Sequence, residues 1–495
     1  MNEMNLMPAI PELILTVALP ILMVLDLFIP QKYRNITFGL SVLIIGICAA
    51  GTFWLAHYQE TMITFYGSFI VDPVASVLKL CTYIAMILTL IYLRRYISER
   101  KLTFAHLGGA FYLLALFSLL GQMVVISSVD FLALYLGTEL MMFPLYTLAA
   151  LKREDGKALE AATKYFILGA LGTGLMLYGI SMIYGATGTL QFMEIATAIN
   201  NGHSQWLIMV FGIVFVVCGI AFKLGAVPFH MWLPDVFEGV PTAVTLLVGG
   251  APKLAGFAIC LRILGQALFP MAIDWQPMLM VVSVLSIVLG NLVAIMQKNI
   301  KRMLAYSTIS HMGYMLMGLL SGIQIVNEQV MPVVDAYGAA MYYIVVYVLA
   351  TLGAFGVILV LSQNIEFDQI KQFKGLHKRN PWLAFLMMIC LFSFAGVPPF
   401  VGFYSKVTVF QAAIGVDLLW LAVIGILFAV IGSFFYLRII KFMYFDEPSD
   451  NRHIVLSIDA KLALTVNGLL IILFSILPEP LMRWCIDSVH MSLML

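Results

Sequence analysis

Phe222-Lys-Leu-Gly-Ala-Val-Pro-Phe-His230 and Phe394-Ala-Gly-Val-Pro-Pro-Phe400 interrupt two apolar runs, residues 206–239 and 382–413. Both runs exceed the roughly 20 residues that one bilayer crossing needs. Glycine and proline end regular helix and free backbone N–H and C=O groups. At membrane depth such groups are tolerated only where protein or water satisfies them. A proline kink is the plainer reading of either interruption alone. Two in register, each near a lysine, favour broken helices. Pairing Pro228 with Pro399 sets an offset of 171 residues, which also carries Glu139 to Ser310, the neighbour of His311. Spans five apart therefore match, and an odd number of spans per unit places the two copies in opposite orientations. The expected architecture is one membrane domain, 1–495, with a first repeat over 107–265 and a second, inverted repeat over 275–443.

The rest of the chain fits that frame. Hydrophobic residues make up 62% and charged residues 11%, with a mean hydropathy of +1.00, where a soluble domain carries about 25% charged residues. Windows long enough to span fall at 8–29, 36–56, 73–93, 107–127, 129–150, 161–184, 206–239, 242–265, 275–297, 303–321, 336–361, 382–413, 418–443 and 462–482. None alternates like a barrel strand, so the fold class is all-α, a polytopic transmembrane bundle of about 14 spans. Residues 1–7 carry no basic segment, so the first window reads as a membrane helix and not as a cleaved signal.

Twenty of the 27 lysines and arginines fall in or beside the odd-numbered loops, among them Lys32, Arg34, Lys101, Arg153, Lys301 and Arg452. Only Arg262 and Arg483 fall on the opposite side. The excess marks the odd loops as cytoplasmic and puts both termini on the periplasmic side.

Lys79, Lys164, Lys223, Lys253 and Lys406, with Glu139 as the one glutamate, lie inside apolar windows. Each charge at bilayer depth costs about 2.5–3.5 kcal/mol, so such groups persist where they move charge, pair, or line a wet cavity. Glu139 and Lys223 would relieve each other's desolvation on meeting, and parting them would favour release of the lysine's proton. A static structural pair is the plainer alternative. Lys253 in the next span and His311 in the tenth extend a mid-membrane series, although a lone buried histidine is commonly a hydrogen-bonded core residue. Lys406 follows the second break and suits an exit to one aqueous side. Lys164 stands one helix beyond Glu139, where snorkelling to the interface competes with an assisting role. Lys79 reads as structural. His230, Asp235 and Glu238 mark a polar helix end near the cytoplasm or a proton entry.

The six cysteines are dispersed singly, no C-x-x-C pair occurs, and neither a dinucleotide fingerprint nor a phosphate-binding loop is present. No redox carrier, metal or nucleotide site is expected in this chain. A net charge of +1 argues against nucleic acid as a partner.

Four motifs together resemble the antiporter-like subunits of respiratory complex I, the NADH–quinone oxidoreductase. They are Gly137-Thr-Glu-Leu-Met141, Phe222 to Asp235, Ala305-Tyr-Ser-Thr-Ile-Ser-His-Met-Gly-Tyr314, and Gly396 to Lys406. The likeness spans all fourteen windows. It implies proton translocation through Glu139, Lys223, Lys253 and Lys406, with Lys164 and His311 assisting, in a bacterial inner membrane. It also implies FMN, iron–sulfur clusters and quinone in partner subunits, and contact with neighbouring antiporter-like and small hydrophobic subunits. Thr138 departs from the larger apolar residue expected before the glutamate. Multi-subunit Na⁺(K⁺)/H⁺ antiporters share the same Glu/Lys pattern and form the alternative.

Overall fold

The computed structural model describes residues 5–30, 35–57, 61–100, 109–152, 154–202, 205–326, 329–362, 366–448 and 457–493. Helices α1 (Ile10–Phe28) and α2 (Asn35–Ala56) lead through the hairpin β1 (Met62–Thr64) and β2 (Phe69–Val71) into α3 (Pro73–Arg100). Then follow α4 (Ala110–Ile126), α5 (Phe131–Ala149), α6 (Gly156–Thr187), a short α7 (Phe192–Asn200), α8 (Trp206–Leu224), α9 (Trp232–Gly239), α10 (Thr242–Gly249) and α11 (Pro252–Arg262). The second half holds α12 (Ala272–Met296), α13 (Ile300–Leu320), the hairpin β3 (Ile323–Val326) and β4 (Gln329–Pro332), α14 (Val334–Leu361) and a single turn α15 (Leu376–Arg379). It closes with α16 (Pro381–Ala395), α17 (Val401–Gly415), α18 (Leu419–Phe445), α19 (Ile458–Ile476) and α20 (Pro478–Leu493).

Among the described residues eleven helices are long and apolar enough to cross a membrane, and each of the fourteen windows falls on a helix or a broken helix. This is a multi-pass helical bundle. The segment from α10 to the end of α11, and α14, are the most enclosed, whereas α1, α2 and α18 turn most of their surface outward. Apolar residues all round a helix suit both environments, so hydropathy alone does not separate them.

The two breaks repeat one set of devices. Helices α8 and α16 end in Gly225 and Gly396, each at φ +76°, where any residue with a side chain would be strained. Beyond each glycine the chain folds back on the last turn, Ala226 N–H bonding the Ala221 carbonyl at 2.8 Å and Val397 N–H that of Phe392 at 3.1 Å. A serine from a neighbouring helix then takes a freed amide. Val227 N–H reaches Ser286 Oγ of α12 at 2.9 Å, and Val401 N–H reaches Ser475 Oγ of α19 at 2.8 Å. The peptide bonds before Pro228 and Pro399 are both cis. Asp130 and Asn299 cap α5 and α13 through their side chains, and each forms a bridge to a glutamine, Gln191 or Gln369.

Several expectations are corrected. The eighth window is also broken, at Gly249–Gly250, and Pro252 restarts it as α11. The fourteenth ends at Ile476, because Pro478 and Pro480 cannot continue it; α20 turns back against α3 and α14. Arg262 is no loop cation: it is 0% exposed and grips Asp72 with two bonds, of 2.8 and 2.7 Å. Lys301 is likewise buried, bonded to the Val240 carbonyl and paired with Asp368, both at 3.1 Å. Glu139 is not the sole acid in the apolar windows, since Glu12 and Asp26 are buried there too. Lys32, Arg34, Lys101, Arg153 and Arg452 lie outside the described residues.

Removing one partner of a buried pair strands the other, at about 3–5 kcal/mol. Arg262→Met is therefore expected to lower the melting temperature of the detergent-solubilised chain sharply. Adding Asp72→Asn, which keeps the cap Asp72 Oδ1 provides to Ala75 N–H, recovers most of that loss. A double variant no more stable than Arg262→Met would show that charge pairing is not what the contact supplies.

Candidate proton-transfer site

Glu139 stands midway along α5, Thr173 on α6 and Lys223 one residue from the end of α8. The broken end of α8 fixes Lys223 at depth, where its side chain is 3% exposed and that of Glu139 15%. The ammonium and the carboxylate are 3.5 Å apart. Thr173 Oγ1 sits between them, accepting from Lys223 Nζ at 2.7 Å and donating to Glu139 Oε1 at 2.8 Å. Thr173 carries no signal in the sequence, because nothing there aligns α6 with α5 and α8 in space.

The other two mid-membrane lysines share a different solution. Lys253 Nζ donates to the Leu224 carbonyl at 2.8 Å, and Lys406 Nζ donates to those of Phe394 and Ala395 at 2.9 and 3.0 Å. Leu224 and Ala395 are the last residues of α8 and α16, 171 apart. A helix C-terminus leaves four carbonyls unbonded and carries the negative end of the helix dipole. Each break thus generates its own receptor for a cation. Trp232 Nε1 donates to the Phe222 carbonyl at 3.1 Å, which also accepts from Gly225 N–H at 3.0 Å, and the Trp232 ring lies 5.8 Å from Lys253 Nζ. Lys253 therefore engages the residue beside Lys223.

His311 and Lys406 line one small cavity with Tyr343, Tyr347, Ser393 and Ser405. His311 Nδ1 is 2.7 Å from the Tyr343 hydroxyl and Nε2 is 3.2 Å from that of Tyr436. Tyr436 in turn contacts the Ser307 hydroxyl. The histidine is a hydrogen-bonded core residue that also faces a lysine across the cavity.

Lys164 is not part of this interior group. It lies nine residues before Thr173 on α6, about 13 Å along the axis, with its side chain 41% exposed. Its ammonium pairs with Asp235 and Glu160, each at 2.8 Å, and Arg302 joins Asp235 to Glu238 at 2.8 and 3.1 Å. Asp235 and Glu238 thus form an ion network at the end of the seventh window, with two cations that sequence spacing does not associate. Lys79 pairs with Glu12 of α1 at 2.5 Å, both buried. Glu12 lies near the start of the first window, an acid in a mainly apolar run, a signal the sequence does contain.

Among the described residues no three His, Cys, Asp or Glu side chains gather as a metal site. The purified chain is expected to show no flavin, iron–sulfur or haem absorbance; a stoichiometric cofactor spectrum would contradict this reading of its cysteines and histidines.

The transmembrane family of NADH:quinone oxidoreductase and Mrp antiporters matches residues 128–432. The NADH-quinone oxidoreductase subunit N of Herminiimonas arsenicoxydans is 51% identical over 494 residues, all of both chains. A chain of respiratory complex I from Thermus thermophilus superposes with a TM-score of 0.78 at 27% identity, covering 96% of this chain and 98% of that one. A chain of the Mrp complex from Dietzia sp. superposes at 0.82 with 17% identity, covering 98% and 97%, a likeness of fold alone.

Proposed function

The chain belongs to the NADH:quinone oxidoreductase/Mrp antiporter membrane family, and on that footing we propose that it is a proton-translocating subunit of an NADH–quinone oxidoreductase. It carries protons, while FMN, iron–sulfur centres and quinone in partner subunits carry electrons. The observation that carries this reading is the Glu139–Thr173–Lys223 group set against a helix break whose next carbonyl holds Lys253. Full-length identity of 51% to a relative named as an oxidoreductase subunit favours this over a cation antiporter, for which the shared family model and a likeness of fold speak.

Glu139 and Lys223 form the gated pair. While they are close, each offsets the other's desolvation; when a shift in a partner subunit parts them, the ammonium is left in a medium that penalises its charge and yields its proton. Lys253, His311 and Lys406 take the proton onward, with water in the gaps. Lys253 and Lys406 lean on neutral carbonyls, so loss of either proton strands no opposite charge. Lys164 serves at the cytoplasmic end with Asp235. The recurrence at 171 residues supports two inverted repeats, 107–265 and 275–443, although the start at 107 falls outside the described residues. The chain sits in a bacterial inner membrane with both termini periplasmic, beside antiporter-like and small hydrophobic subunits.

Glu139→Ala should assemble and yet pump few protons per NADH oxidised in sealed vesicles. Wild-type stoichiometry would make the pair a structural contact. A second expectation concerns Lys406. Arginine keeps its charge and does not deprotonate in proteins, so Lys406→Arg should impair pumping nearly as much as Lys406→Ala, with both variants assembled on blue-native gels. Full coupled activity in the arginine variant would reduce Lys406 to a fixed positive charge.

A further inference from the structure

Glu139 Oε1 and Lys223 Nζ, at 3.5 Å, stand beyond good hydrogen-bond length for a charged pair. Both legs through Thr173 Oγ1 are short, 2.7 Å from the ammonium and 2.8 Å to the carboxylate. The hydroxyl is buried and shared by no other side chain among the bonds described. Resting on the function proposed above, we propose that the Thr173 hydroxyl is the bridge through which a proton passes between Lys223 and Glu139.

The transfer balances without a co-reactant. An N–H bond of Lys223 breaks as an O–H bond forms at Thr173 Oγ1. In concert Oγ1 releases its own hydrogen to Glu139 Oε1. The products are a neutral amine and a carboxylic acid, and threonine emerges with its hydroxyl hydrogen turned toward the amine lone pair. Before and after, the short bonds are kept with donors and acceptors exchanged. Neutralising the pair this way avoids leaving one bare charge in low dielectric, the state that is expensive there. A hydroxyl suits the task because it donates once and accepts twice.

Thr173 Oγ1 also lies 3.1 Å from the Gly169 carbonyl, one turn back on α6. That carbonyl offers a second position for the hydroxyl hydrogen. When Glu139 is protonated from elsewhere, its new O–H can point at Oγ1 while the threonine hydrogen turns to Gly169. The bridge is then fully bonded but does not conduct from Lys223. Threonine, with a restricted χ1, holds Oγ1 at this crossing of three bonds. Gly169 itself lies against Tyr146, whose hydroxyl would collide with any Cβ there, so α5 and α6 are close at this turn.

The test uses the assembled oxidoreductase in sealed membrane vesicles, reading the rate of NADH-driven proton uptake. Thr173→Ser keeps the hydroxyl and is expected to pump within about twofold of wild type, whereas Thr173→Val, nearly isosteric but without it, should slow coupled transfer at least about tenfold. A valine variant that pumps like wild type overturns the bridge. Glu139→Gln is measured alongside. If it pumps normally, the paired-charge reading of the function fails; if it is silent while Thr173→Val pumps, the bridge alone falls. Should valine prevent assembly on blue-native gels, Thr173→Ala replaces it. The bridge then requires serine to exceed alanine by about tenfold, and equal pumping by the two overturns it.

Discussion

A cation removed from water must find an oxygen, and the interior of this bundle is arranged around that requirement. Lys79 has the Glu12 carboxylate, Arg262 has Asp72, and Lys223 has Glu139 through a threonine hydroxyl. Lys253 and Lys406 have carbonyls that exist as free acceptors only because α8 and α16 stop in mid-membrane. Broken helices are usually regarded as the costly element of such a fold. Here the unsatisfied backbone and the unsatisfied ammonium offset each other, so neither would be stable without its counterpart.

The kind of oxygen matters as much as its presence. A lysine facing a carboxylate cannot give its proton to a third group without leaving a lone anion in low dielectric. A lysine facing carbonyls leaves only a weaker hydrogen bond behind. The Lys253 and Lys406 sites can therefore be occupied or vacated by a proton with modest rearrangement, while Lys79–Glu12 and Arg262–Asp72 resist any change of charge. Lys223 stands between these classes: its carboxylate is near enough to stabilise the charge, yet reached through a hydroxyl that can reverse its donor and acceptor roles.

Much of this was legible in the sequence, for reasons that also explain the rest. Helix count and the two main breaks follow from hydropathy, Gly and Pro, which act locally. The offset that pairs Pro228 with Pro399 also aligns Gly225 with Gly396, because identical backbone geometry demands identical residues. Lys223, Lys253 and Lys406 stand out as charges in apolar runs. Lys164 does too, but a long side chain near a helix end reaches the interface, and of its two partners Glu160 is one turn back while Asp235 is 71 residues away. Arg262 reads as a loop cation because a cation at the end of an apolar window has the same sequence appearance whether it meets water or Asp72. Thr173 was invisible, since a threonine in a membrane helix ordinarily bonds its own backbone, as this one also can with Gly169.

The choice between arginine and lysine in the interior then acquires a chemical meaning. Arginine keeps its charge in any protein environment and presents a planar fork that matches a carboxylate. It occupies the buried position where two parallel bonds tie α3 to the end of α11, a contact that has no use for deprotonation. Among the described residues, the cations at the breaks after α8 and α16 are lysines, point charges whose proton can leave once their surroundings stop favouring it. Substituting one for the other would conserve charge at each place and lose what distinguishes the places. At the α3–α11 contact the loss would be bonds, and at the breaks it would be the capacity to exchange a proton.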